Sequence, residues 1–170
     1  MDIWEGIRTK HSIRAFTDQP VSDADARHIL DAGRRAPSGF NSQPWHFIAV
    51  RDRAMLTELA TINRSTRHVA GAAMCVLLLS PDRETNFWRN LFDAGQAATY
   101  MMLAAHELGI ASCPGTVYEP DRARELLGFP TDWKPYILIS FGYPDPAHPR
   151  TGKGKGGRKP LDEVAHWERW

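Results

Sequence analysis

The chain has 170 residues, of which 42% are hydrophobic and 24% charged, with a net charge of +1. That suffices for one domain burying roughly 70% of its unfolded surface, and the balance is that of an ordinary globular protein. It gives no reason to expect nucleic acid or an acidic membrane surface as partner.

The N-terminal Met1-Asp2-Ile3-Trp4-Glu5 is charged and no apolar signal-peptide region follows it. No apolar run approaches the ~20 residues needed to span a bilayer, so the expected location is the cytoplasm. Cys75 and Cys113, each in an apolar stretch, read as buried reduced thiols rather than a disulfide framework.

In chain order, residues 2–9 read as a short helix with Ile3 and Ile7 on one face. Ser22 to Arg35 reads as a second helix, N-capped by Ser22, with Ala26, Ile29, Leu30 and Gly33 as its apolar stripe. Pro37 stops it. Residues 46–50 read as a strand, 54–61 as a short helix and 73–79 as a buried strand. The longest periodic segment runs from Thr85 to Leu108. Its many small residues predict a central helix packed on several sides, with Gly109 at C′. Residues 110–113 read as a short strand, 122–127 as a short helix closed by Gly128, and 135–143 as a strong strand. No regular β-α-β rhythm emerges, which favours an α+β sandwich over a doubly wound parallel fold. Residues 1–170 read as a single domain.

Two segments carry the chemistry. The first is Lys10-His11-Ser12-Ile13-Arg14-Ala15-Phe16, a basic knot with a hydroxyl. The second is Pro37-Ser38-Gly39-Phe40-Asn41-Ser42-Gln43-Pro44-Trp45-His46-Phe47, small and amide residues ending in a Pro-Trp anchor. Together they suit a phosphate and a flat heterocycle. In this order and spacing they resemble the FMN-dependent nitroreductase family, whose members carry Arg-Arg-Ser-x-Arg-x-Phe and then Ala-Pro-Ser-x-x-Asn-x-Gln-Pro-Trp-x-Phe. Ala36 to Phe47 matches every fixed position of the second pattern. The first is matched at Ser12, Arg14 and Phe16, with Lys10 and His11 in place of arginines. Gly39 stands where a second serine is common. The resemblance covers residues 8–142 and 157–165. The chain is short for the family, which implies an open or partner-built acceptor pocket.

The resemblance implies a mainly antiparallel sheet flanked by helices, with a long central helix. It also implies a homodimer with shared FMN sites. It puts Arg14 and Arg158 on the FMN phosphate, Ser12 near the ribityl-phosphate or pyrimidine end, Lys10 near the N1/C2 edge of the ring, and His11 among the cofactor contacts. Pro37, Ser38, Gly39, Asn41 and Gln43 become the second contact set, reaching the partner subunit's flavin, with Trp45 as a packing anchor. Pro114 and Gly115 fall where a backbone N–H meets flavin N5, and Asn63 and Arg67 where an amide and a basic side chain approach the ring. The basic, glycine-rich stretch 150–159 reads as a flexible loop. Its Gly152-x4-Gly157 spacing is followed by Arg158 rather than Lys-Ser/Thr, so it is no P-loop.

Rival chemistries lack their motifs. There is no His-Glu-x-x-His or Cys-x-x-Cys metal pattern, no Gly-x-Ser-x-Gly elbow and no Gly-x-Gly-x-x-Gly after a strand. The expectation is a ping-pong FMN oxidoreductase, reduced by NAD(P)H. Its acceptor is a nitroaromatic, a quinone or a related conjugated small molecule, and no side-chain acid or base is required. Two alternatives stay open. One is other chemistry on the same fold: reductive dehalogenation, enoate or azoline redox, or flavin fragmentation. The other is a non-enzymatic FMN-binding protein.

Overall fold

The computed structural model describes residues 1–83, 85–148 and 157–170. The first helix, α1 (Ile3–Thr9), starts where Asp2 accepts the Glu5 N–H. The second, α2 (Asp23–Arg34), starts where Ser22 accepts that of Asp25. Both caps satisfy amides that the helix itself cannot. Then come β1 (His46–Val50), α3 (Arg53–Ala60), a 3-10 helix over Arg64–Gly71, and β2 (Met74–Pro81). They are followed by α4 (Phe87–Glu107), β3 (Ala111–Thr116), α5 (Pro120–Leu127) and β4 (Trp133–Gly142).

The four strands form one sheet in the order β1-β2-β4-β3, antiparallel at every pairing. β2 lies inside the sheet and is buried on both faces, which explains its unbroken apolar run. One core lies between the sheet and α2/α4, with Ile29, Trp45, Val76, Met101 and Phe141. The other lies under α3 and the 3-10 helix, with Leu56, Leu59, Val69, Leu77 and Leu138. This is the α+β sandwich that the sequence pattern predicts. None of the helices among the described residues is long and apolar enough to cross a membrane.

Three features differ from the sequence reading. First, β3 runs to Thr116 rather than ending at Cys113. Cys113, Gly115 and Val117 turn their backbone groups toward β4, where Val117 N–H donates to Tyr136 O at 3.0 Å. Pro114 falls on the opposite, outward phase, so its missing N–H costs the ladder nothing. Second, residues 64–71 form a 3-10 helix that the sequence reading leaves out, with Thr66 and Val69 buried. Asn63 starts it through a capping box with Thr66. Third, α4 is packed on one side only within the chain. Ala94, Ala97, Ala98, Met101 and Ala105 are buried, whereas Trp88 and Phe92 are 78% and 69% exposed. A Cβ added at Gly95 would meet nothing. Residues 157–170 are exposed throughout, including Trp167 and Trp170. Of the predicted 150–159 loop, positions 150–156 lie outside the described residues.

Candidate active site

The basic knot runs along the free edge of β3. Ser12 pairs with Ser112 in a parallel bridge, and Ile13 N–H donates to Ser112 O at 3.2 Å. Lys10 and Arg14 flank this single bridge, after which the backbone turns away: Ala15 O accepts Asp145 N–H at 3.1 Å and Phe16 bridges Pro144. Lys10, Ser12 and Arg14 all reach the Cys113 thiol: burial raises its pKa, while Arg14, a hydrogen bond with Ser12 and Lys10 each pull it down. Lys10, His11, His106, Gly109 and Ser112 line a cavity of about 170 Å³. Burial pushes the Lys10 ammonium below its ordinary pKa. Its Nζ donates to Met102 Sδ at 3.3 Å, a weak acceptor. Neither Lys10 nor Arg14 has a carboxylate in ion-pair range among the described residues. Ser112 Oγ is buried without a hydrogen-bond partner. His11 Nδ1 contacts Thr9 O at 2.6 Å.

Further along the same edge, Thr116 is held from outside the sheet. Its carbonyl accepts Asn63 Nδ2 at 3.1 Å and Ser65 Oγ at 2.6 Å. By the alternation of an antiparallel ladder, its N–H also points away from β4. Pro114 has no N–H, and Gly115 directs its own toward Leu138. The outward backbone donor of this stretch therefore belongs to Thr116, the last residue of the Ser112–Thr116 segment that the resemblance points to, next to Pro114 and Gly115. Gly115 has a packing reason of its own. A Cβ there would lie 2.7 Å from Ser65 O and 3.3 Å from His68 Nε2.

His68, unforeseen from the sequence, sits behind this edge. Ser140 Oγ lies 2.7 Å from His68 Nδ1 and 3.3 Å from Cys113 O, to which it donates. Nε2 is buried near the Ser65 carbonyl beside Gly115. Burial first, and Arg14 second, push the His68 pKa down to about 4. The unfolded chain takes up a proton near pH 6.5 that the folded chain refuses until about pH 4. Stability is therefore undiminished above 6.5, declines between 6.5 and 4, and levels off below. The ring is not wholly buried, so the loss is discounted to on the order of 1–2 kcal/mol. Urea unfolding at pH 7, 5.5 and 4 should show this decline, and His68→Gln should flatten that part of it. An unchanged slope in His68→Gln would show that other groups carry it.

Residues 36–45 form an irregular loop, with a 3-10 turn over Gly39–Asn41, that leads into β1. Trp45 is buried and lies near-parallel to Phe47, the expected anchor. Phe40, Asn41 and Gln43 have φ of 55°, 54° and 47°. The left-handed region costs roughly 1–2 kcal/mol for a residue with a Cβ, less for Asn. Strain of this kind persists where surrounding structure over-determines it. Here Ser38 Oγ accepts Gln43 N–H at 3.0 Å, Pro37 O accepts Gln96 Nε2 at 3.2 Å, and Gly39 N–H donates to Asp93 Oδ2 at 3.2 Å. The outer side chains Phe40, Asn41 and Gln43 stay exposed.

The remaining predicted residues are spread more widely. Asn63 spends its amide on Ser65 and Thr116. Arg67 is exposed in a groove shared with Arg64 and Glu119. Arg158 lies in the exposed tail. The structure thus gathers Lys10, His11, Ser12, Arg14, Pro114, Gly115 and Asn63 along one sheet edge. It sets Pro37 to Gln43 apart on a loop braced by α4, and leaves Arg67 and Arg158 on the surface. Unpaired cations, an orphaned hydroxyl and an outward amide along an open edge fit an anionic, flat cofactor such as FMN.

An α+β sandwich with a cationic, amide-bearing strand edge and a strained amide loop fits the class of proteins that hold a planar, anionic cofactor. The nitroreductase family model matches residues 7–74 and 63–143, and the chain belongs to the nitroreductase family. A protein of Archaeoglobus fulgidus named "Putative NADH dehydrogenase/NAD(P)H nitroreductase" is 35% identical over 144 residues, covering 81% of this chain and 83% of the relative. One of the same name from Methanothermobacter thermautotrophicus is 32% identical over 178 residues, covering 100% and 88%. Among solved structures, an FMN-dependent nitroreductase from Clostridium difficile superposes with a TM-score of 0.85 at 25% identity, covering 99% of this chain and 100% of that one. The chain is an oxidoreductase of the NAD(P)H nitroreductase type.

Proposed function

We propose that this oxidoreductase binds FMN along the free edge of β3 and passes reducing equivalents from NAD(P)H to a nitroaromatic, quinone or related conjugated acceptor. The observation that supports it most is the pair of carboxylate-free cations, Lys10 and Arg14, on either side of the Ser12–Ser112 bridge, with the Thr116 N–H beyond them. When bound, FMN supplies the two-electron chemistry, accepting a hydride at N5 and delivering it onward.

The chain's own residues bind and orient. The Thr116 N–H is the donor offered to N5. Arg14, whose charge bears on both Cys113 and His68, would hold the pyrimidine edge, where positive charge favours the reduced ring. Lys10 and Ser12 would hold the ribityl-phosphate end, and the resemblance assigns Arg158 of the exposed tail to the phosphate. This exchanges the roles of Lys10 and Arg14 expected from the resemblance; in support, Arg14 bears on His68 beside Gly115, whereas Lys10 bears on His106. Ser38, Asn41 and Gln43 contribute amide and hydroxyl groups to the ring, and no side-chain acid or base is needed.

The site is completed by a second copy. Ile3, Trp4 and Ile7 of α1, together with Trp88, Phe92 and Tyr100 of α4, are exposed. An apolar patch of this extent marks an interaction surface. Light scattering at low micromolar concentration should give twice the 19.2 kDa chain mass. A monomer that still binds FMN tightly would remove the shared-site part of the proposal.

Purified protein should be yellow and should release FMN rather than FAD on heating, as identified by chromatography. NAD(P)H and the acceptor are expected to use one open face in turn. Double-reciprocal plots at several fixed acceptor concentrations should therefore be parallel. Protein that cannot be reconstituted with FMN would overturn the reading, and intersecting lines would overturn the single shared face.

A further inference from the structure

Asp93 is the one buried acidic side chain among the described residues, 1% exposed on α4 beside the buried Ala94 and Ala97. A carboxyl group in such a place lowers stability unless its oxygens are hydrogen-bonded, and both of these oxygens face the 36–43 loop or its brace. Oδ2 accepts Gly39 N–H at 3.2 Å, and Oδ1 accepts Gln96 Nε2 at 3.3 Å. The same Gln96 nitrogen donates to Pro37 O at 3.2 Å. On its other side Gly39 meets Arg89, whose Cδ lies 2.7 Å from where a Cβ would stand. Helix α4 therefore grips the loop at Pro37 and Gly39, immediately before the left-handed Phe40, Asn41 and Gln43.

We propose that Asp93 is a positioning residue of the cofactor site: through the Gly39 N–H it holds the loop in the one shape that presents Ser38, Asn41 and Gln43 to the flavin ring. This rests on the FMN-binding function proposed above. The carboxyl touches no cofactor atom itself. It replaces the ladder or helix bond that the Gly39 amide would have in regular structure, and Gln96 keeps the carboxyl aimed at it. Helix packing alone would be served as well by alanine.

The test compares Asp93→Ala, Asp93→Asn and wild type by three measurements. These are amide hydrogen exchange in apoprotein, FMN affinity by fluorescence titration, and thermal unfolding. In Asp93→Ala, protection across residues 37–43 should fall at least tenfold while β2 and β4 keep theirs, and FMN should bind at least tenfold more weakly. Asp93→Asn retains an oxygen for the Gly39 N–H and should recover most of both. Unchanged loop protection would show that Asp93 does not hold the loop. Lost protection with wild-type FMN affinity would show that the cofactor does not need the loop held. Affinity lost only together with protection in β2 and β4 would reduce Asp93 to a core residue. Should Asp93→Ala fail to fold, Gln96→Ala carries the test, with about threefold losses in both measurements expected and no loss in either overturning the proposal. If wild type binds no FMN, the function proposed above falls along with the cofactor half of this inference. The apoprotein exchange then still decides whether Asp93 holds the loop.

Discussion

Arg14→Ala should both weaken FMN binding and lower the potential of the bound cofactor. A hydrogen bond to a charged group contributes about 1.5–3 kcal/mol, so the dissociation constant should rise roughly ten- to 150-fold. The potential follows from where the Arg14 charge lies, close enough to influence both the Cys113 thiol and His68. A cation at that point favours the reduced ring, and its removal should lower a two-electron potential by on the order of 30 mV. Lys10→Ala is the contrasting variant. Lys10 lies at the far end of the same edge, in the cavity with His106 and Gly109. It should weaken binding comparably and leave the potential nearly unchanged. Fluorescence titration of the apoproteins and spectroscopic redox titration of the reconstituted ones separate the two. Loss of potential in Lys10→Ala instead of Arg14→Ala would reverse the proposed orientation of the ring.

Gly115→Ala should be the most damaging one-methyl change near the site. The added Cβ would stand 2.7 Å from the Ser65 carbonyl oxygen, a backbone atom in a capped 3-10 turn, and 3.3 Å from His68 Nε2. Neither can yield without moving the turn. Moving it would stretch the bonds from Asn63 Nδ2 and Ser65 Oγ to Thr116 O, which set the outward amide. Overpacking of this sort costs about 1–3 kcal/mol, or roughly 2–12 °C in Tm for a chain of this length. Gly71→Ala is the control, because a Cβ at Gly71 meets nothing. It should be neutral or slightly stabilising through the unfolded state. Thermal unfolding of the two apoproteins measures the difference, and equal Tm values would mean that the turn is more compliant than its hydrogen bonds imply.

What the sequence determined by itself was local. Ser22 caps α2, Gly109 and Gly128 close α4 and α5 with φ of 73° and 68°, and the apolar run of β2 is long enough to need cover on both faces. Each of these depends on a residue and its near neighbours along the chain, so each is legible from spacing. The dense pattern from Ala36 to Phe47 likewise carries the family, because it is contiguous.

What only the tertiary structure decided involves partners distant in sequence. Which amide of residues 114–116 faces outward depends on the phase of β3 against β4. That phase turns the Thr116 amide outward and the Gly115 amide toward β4. Which cation bears on His68 and which on His106 depends on how the 10–14 segment lies against β3, a hundred residues away in the chain. His68 and Asp93 carry no mark in the sequence for the same reason. A polar side chain looks alike in sequence whether it meets water or the 0%-exposed Ser140 and the Gly39 amide. Local geometry is encoded in neighbouring residues, but burial, strand phase and the direction of a lone amide exist only once remote segments have been packed together.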